Sequence, residues 1–167
     1  LSATAITYER HGAPTEVLGV ERAWPLPERL EAGQVLVAML ASCVNEEDLL
    51  RVQTPLTILN NFPPFSRTKL KWEDIRLPAV AGVDGVGIVV ATAKDVPDEL
   101  AGVDGPTAEA MRNVPGLAKR PHALETKDWV VVLPDSRRAP VGCWSSLCVV
   151  DAARLVRVPA QLLPLQH

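Results

Sequence analysis

Proline most constrains what this chain can fold into. Fifteen of its 167 residues are proline, and several fall where strands should end or loops should run. The ring removes a backbone donor that a sheet ladder or helix interior needs. Between these breaks the apolar runs are short. Residues 3–8 (ATAITY) alternate and are β-branched, which predicts a strand, with a turn at His11-Gly12-Ala13-Pro14. Residues 17–24 (VLGVERAW) predict a second strand, closed by Pro25 and Pro27. Glu31–Gln34 is a turn into the strand-length run 35–42 (VLVAMLAS). Asn45–Val52 (NEEDLLRV) starts with carboxylates and has apolar residues at helical spacing, which predicts one short helix. In 79–92 (AVAGVDGVGIVVAT) glycines come first and a Val/Ile strand follows. Trp129–Leu133 predicts a strand buried on both faces. Gly142–Val150 and Leu155–Val158 are the last expected strands, with Asp151–Arg154 turning between them. The stretches 53–77 and 95–126 read as loops, the second with a short helix at Thr107–Asn113. Many short strands with little helix indicate a mainly-β barrel or sandwich.

At 167 residues and 47% hydrophobic, the chain can bury one core, which suits a single domain. A formal charge of −3 argues against a generic polyanion binder, though local basic patches stay open. Its three cysteines, Cys43, Cys143 and Cys148, form no C-x-x-C pair. They read as small apolar residues of a reducing compartment rather than a disulfide framework or zinc knuckle. No run approaches the roughly 18 apolar residues that a membrane-spanning helix needs. The sequence begins at Leu1 with no initiator Met or signal peptide in view, which suits an imported organellar protein whose leader has been removed.

Three stretches carry a family resemblance: residues 3–52, 78–92 (PAVAGVDGVGIVVAT) and 128–159. They resemble medium-chain dehydrogenase/reductases, and within these the zinc-independent mitochondrial trans-2-enoyl-thioester reductases. The resemblance implies a GroES-like, partly open β-barrel with one or two short helices. In that family a nucleotide-binding domain would begin near residue 160. The chain ends at His167, so no Rossmann domain is expected in it.

The resemblance also shows which chemistry to look for. In the zinc-dependent branch, a cysteine follows the strand matched by Val37–Ser42, and a Gly-His-Glu motif follows the proline matched by Pro78. Here Asn45 takes the first metal-binding position, with Cys43 two residues early, and Val83 stands where the histidine belongs. Zinc requires three or four thiolate, imidazole or carboxylate ligands, so no metal is expected. Val44-Asn45-Glu46-Glu47-Asp48 resembles the Ile-Asn-Pro-Ser-Asp stretch of the zinc-independent members. It keeps Asn45 and Asp48 and replaces the central pair by glutamates. In the family that asparagine lies near nicotinamide and substrate; an asparagine there also serves as a helix N-cap. The family's catalytic tyrosine, which acts in proton delivery, is absent from the matching region Gln53–Thr57. Tyr8, the only tyrosine, matches a structural Tyr-x-x-x-Gly-x-Pro signature with Gly12 and Pro14. No catalytic residue is therefore assigned, and Asn45 is a vestige. A pyrophosphate site needs a strand, a glycine turn and then a helix. The cluster Gly82–Gly87 runs into a strand instead, so no cofactor is expected on this chain, and NADP only if a nucleotide-binding domain is supplied elsewhere.

Compared with the compact family pattern, about 54–76 and 97–124 are each longer by roughly a dozen residues, an extension that surface loops tolerate. The first holds Arg67, Lys69, Lys71 and Trp72; the second holds Lys119 and Arg120, with Arg112 and His122 nearby. They read either as solvated loops or as contacts to a protein or RNA partner. Three functions remain open. The first is a non-catalytic, structural or accessory subunit of a mitochondrial assembly such as the ribosome or its assembly machinery. The second is the N-terminal part, or split half, of an NADPH-dependent 2-enoyl-thioester reductase. The third is an acyl-chain or acyl-carrier binding module with an apolar groove against 53–77. Under each, a protein partner should cover the face that relatives pack on their Rossmann domain.

Overall fold

The computed structural model describes residues 1–55, 58, 75–93, 124–134 and 141–158. Eight strands and two short α-helices follow one another along them. Strand β1 (Ser2–Tyr8) leads to α1 (Pro14–Val17), β2 (Gly19–Pro25), β3 (Gln34–Ala41) and α2 (Glu46–Gln53). Then come β4 (Ala79–Val80), β5 (Gly85–Thr92), β6 (Trp129–Val132), β7 (Leu147–Asp151), a 3-10 turn at Ala152–Arg154, and β8 (Leu155–Arg157).

The strands form two open antiparallel sheets, one of three strands in the order β2-β1-β4 and one of five in the order β7-β3-β5-β6-β8. β3 sits inside the larger sheet, with Val37 opposite Val89 of β5 and Cys148 of β7. The sheets meet where β1 passes the segment before β7. Ile6 N–H donates to Trp144 O at 2.8 Å, and Ser146 N–H donates to Thr4 O at 2.8 Å. This is the partly open barrel that the sequence implies, with the sheets joined at a corner and not closed into a ring.

Period-2 patterning explains the core. Val35, Val37, Val89, Val130, Val132, Val150 and Leu155 point to one side of the large sheet and form the main cluster with Cys143 and Cys148. Each such side chain, taken out of water, contributes about 1.5–3 kcal/mol. A second cluster of Tyr8, Val52, Ile75, Ala79 and Ala81 seats α2 on the small sheet.

Four local expectations change. The predicted turn and strand around residues 11–24 contain α1, because Pro14 at the first helical position fits a helix start and Leu18 N–H returns to Pro14 O at 3.0 Å. β2 therefore begins at Gly19. The expected strand at 142–150 begins only at Leu147, since Gly142 has φ +81° and the following residues bond across to β1 and Ala81. β6 ends at Val132, and its residues alternate between buried and half-buried instead of being buried on both faces. The turn expected at Asp151–Arg154 is a 3-10 turn over Ala152–Arg154. The helix expected at Thr107–Asn113 lies outside the described residues.

Candidate functional site

The residues with chemistry converge at the start of α2. Asn45 is its N-cap, in extended conformation, and it stands with Asp48 in a capping-box arrangement. The short bond of that box runs from Asn45 N–H to Asp48 Oδ2 at 2.8 Å. The other oxygen, Asp48 Oδ1, accepts Val83 N–H at 2.9 Å. One carboxylate thus ties the helix start to the turn before β5. Asn45 Nδ2 in turn lies 3.2 and 3.1 Å from the two oxygens of Asp84. Ser42 Oγ donates to Asp84 O at 2.5 Å, and Trp144 Nε1 donates to Cys43 O at 2.9 Å. The Ser42–Asn45 turn is fixed from three directions.

Burial sets the electrostatics. Asp48 is 1% exposed, and burial raises its pKa above the ordinary carboxylate value, aided by the Asp84 and Glu47 charges and opposed by the two N–H bonds. Arg51, 2% exposed, pairs with Glu47 through Nη2–Oε1 at 2.7 Å. Its carbonyl oxygen lies 3.1 Å from His11 Nδ1. Tyr8 packs beneath α2, 1% exposed, with no hydrogen-bond partner for its hydroxyl among the described residues. Burial pushes its phenol up to about 12, and the Arg51 charge only partly offsets this.

Two apolar clefts flank the fixed turn. One, of about 350 Å³, runs along Ile6, Met39, Leu40, Val44, Cys143 and Trp144. The other, of about 450 Å³, has Val86, Val131, Leu133 and Pro134 as walls, with Cys43 and Asp84 at its polar end. Leu40 and Val44 remain 51% and 69% exposed between core and solvent.

Of the residues singled out in the sequence, Asn45 lies in this turn. It holds the N-cap position, but its side-chain nitrogen is given to Asp84 and the cap bond is made by the Asp48 carboxylate on Asn45 N–H. The side chains here do not fit zinc: that of Val83 has no lone pair to offer, and the Asn45 amide nitrogen is turned to Asp84. The glycine cluster does not fit a pyrophosphate cradle either. A Cβ at Gly85 would meet Met39 Cε at 2.5 Å, and one at Gly87 would meet Ala38 O at 2.5 Å, so these glycines serve the close pairing of β5 on β3. Arg67, Lys69, Lys71, Trp72, Lys119 and Arg120 lie outside the described residues, as do most of the two long segments that carry them and the floor of any groove against 53–77. Sequence reasoning missed Asp84 and Trp144. The only signal for Asp84 was its place directly after Val83, in the motif where a ligand would stand.

Two open antiparallel sheets with a capped helix packed on the smaller one suit a GroES-like domain, and comparison with known proteins shows the family. Residues 31–160 match the profile of the alcohol dehydrogenase GroES-like domain. The chain belongs to that family, within the medium-chain dehydrogenase/reductases. It is 30% identical over 165 residues to the mitochondrial enoyl-[acyl-carrier-protein] reductase of Xenopus tropicalis, with 97% of this chain and 33% of the relative covered. Among solved structures, the mitochondrial 2-enoyl thioester reductase heterodimer of Candida tropicalis matches at 21% identity and TM-score 0.54, over 95% of this chain and 34% of that one. A quinone oxidoreductase of Pseudomonas syringae matches at 21% identity and TM-score 0.58, over 96% and 35%. The structural matches speak for the fold. The chain spans about a third of the length of these relatives.

Proposed function

We propose that the chain acts as a non-catalytic, enoyl-reductase-like domain, an accessory or structural subunit of a larger mitochondrial assembly. The observation that carries this reading is the state of its one phenol. Proton delivery to an enolate needs a hydroxyl that reaches the substrate and gives up its proton readily. Tyr8 is buried in the core beneath α2 with its pKa pushed up to about 12. The matching region Gln53–Thr57 has only the hydroxyls of Thr54 and Thr57, which are far weaker acids than a phenol. The exposed Leu40 and Val44, with the clefts beside them, suit a face covered by a protein partner. Lys69, Lys71, Lys119 and Arg120 would add contacts to protein or RNA. The mitochondrial placement follows the Xenopus relative, and a ribosomal host is one form of such an assembly. This chain would hold no cofactor itself.

A second reading is the substrate-side part of an NADPH-dependent 2-enoyl-thioester reductase whose nucleotide-binding domain lies elsewhere in the gene product or in another chain. The retained Asn45 and Asp48 beside two apolar clefts favour it. One experiment separates the two. The full gene product, tagged and isolated with its native partners, is sedimented and then assayed for NADPH oxidation with a trans-2-enoyl thioester. Comigration with a large complex and no turnover supports the accessory role. Turnover overturns it and establishes the reductase. Glutamate at Lys69, Lys71, Lys119 and Arg120 together should reduce incorporation into the complex, and unchanged incorporation would remove those loops from the docking surface.

A further inference from the structure

Two of the three cysteines share one core cluster. Cys143 and Cys148 are 2% and 3% exposed and belong to one cluster. A tight bend brings them together. Ser145 Oγ lies 2.6 Å from Gly142 O and 2.8 Å from Leu147 O, so the residues preceding the two cysteines are bridged by a single atom. Both flanks are anchored, Cys143 N–H to Gly82 O at 3.0 Å and Cys148 in register with Val37 of β3. Cys143 also lines the 350 Å³ cleft, beside Ile6, Met39 and Trp144, and that cleft is the route by which we take a small oxidant to reach it.

We propose that Cys143 and Cys148 form a reversible disulfide when the protein meets a hydroperoxide, locking the bend that carries Trp144. The Cys143 sulfur attacks the peroxide: an S–O bond forms, the O–O bond breaks, and the alcohol (water, for hydrogen peroxide) leaves with the thiol proton. The Cys148 sulfur then attacks the sulfenic sulfur: S–S forms, S–O breaks, and water leaves with the second proton. Two thiols are oxidised and one hydroperoxide is reduced. The hydrogen bond to Cys148, and then burial, hold the Cys143 thiol above the ordinary range. Since the thiolate is the nucleophile, the reaction is slow at neutral pH and accelerates by about tenfold per pH unit while the thiol form dominates.

The test uses the full chain with Cys43→Ser, which removes the exposed thiol and leaves the core untouched. After hydrogen peroxide at several pH values, the protein is unfolded, alkylated and mapped by mass spectrometry. Expected is a peptide pair joined through Cys143 and Cys148, lighter by two hydrogens, restored by dithiothreitol and formed faster at higher pH. Near-UV circular dichroism should show the fold intact throughout. If both cysteines stay fully alkylable at every pH, or the bond appears only after the native near-UV signal is lost, the proposal fails. In the chain with all three cysteines, a disulfide that includes Cys43 would overturn it equally.

Discussion

At Asp48 burial and hydrogen bonding pull in opposite directions, and burial prevails. Its folded-state pKa lies above the unfolded value of 3.8, so the folded protein binds this proton more tightly. Stability from this group is therefore highest in acid and falls as pH rises from that value through the folded pKa. Urea titrations of the parent and Asp48→Asn across that window should show this slope in the parent and lose it in the variant. Asp48→Ala leaves two N–H groups without acceptors and should cost about 1–3 kcal/mol. Tyr8 gives the alkaline counterpart. Its phenol stays protonated in the fold up to about 12 while the unfolded chain ionises near 10.0, so stability falls between these values. Tyr8→Phe should abolish that loss and, with no hydrogen bond to break among the described residues, change neutral-pH stability by less than about 1 kcal/mol. As the only tyrosine, Tyr8 can be followed directly by ultraviolet absorbance. Asn45 and Asp48 were legible because a polar start before an apolar run marks a helix N-terminus. Their contacts to Asp84 and Val83 were not, because those partners lie 39 and 35 residues away along the chain.

Among the elements, the strands that read best were β1, with its two-residue alternation, and β3, an apolar run of strand length. Helix α1 was missed because its four residues, PTEV, are too few to show a helical period. The late start of β7 was missed because Gly142–Ser146 has a composition compatible with a strand and is held off it by contacts to β1 and Ala81. Gly82 marks this junction. It has φ +94°, and a Cβ there would meet Trp144 Cδ1 at 2.5 Å and Trp144 N at 2.6 Å. Gly82→Ala should therefore combine backbone strain with overpacking and lose about 2–5 kcal/mol. Chemical denaturation followed by tryptophan fluorescence measures the loss.

For the whole molecule, the proposed partner face at Leu40 and Val44 is the point to test. Both side chains are more than half exposed, so Leu40→Glu with Val44→Glu should shift the stability of the isolated chain by no more than about 0.5 kcal/mol per site. The same pair should strongly reduce comigration with the native assembly, a contrast that thermal melts and sedimentation of the two proteins would reveal. The sequence by itself determined the fold class, most of the strands, the helix start at Asn45 and the lack of a tyrosine in Gln53–Thr57, because alternation, turn residues and residue inventory are local properties of a chain. Only the tertiary structure decided that Asn45 is bound to Asp84, that Tyr8 is sealed beneath α2, and that two cysteines share one bend. Those facts depend on which distant segments meet, and that is set by the packing of two sheets rather than by any run of neighbouring residues.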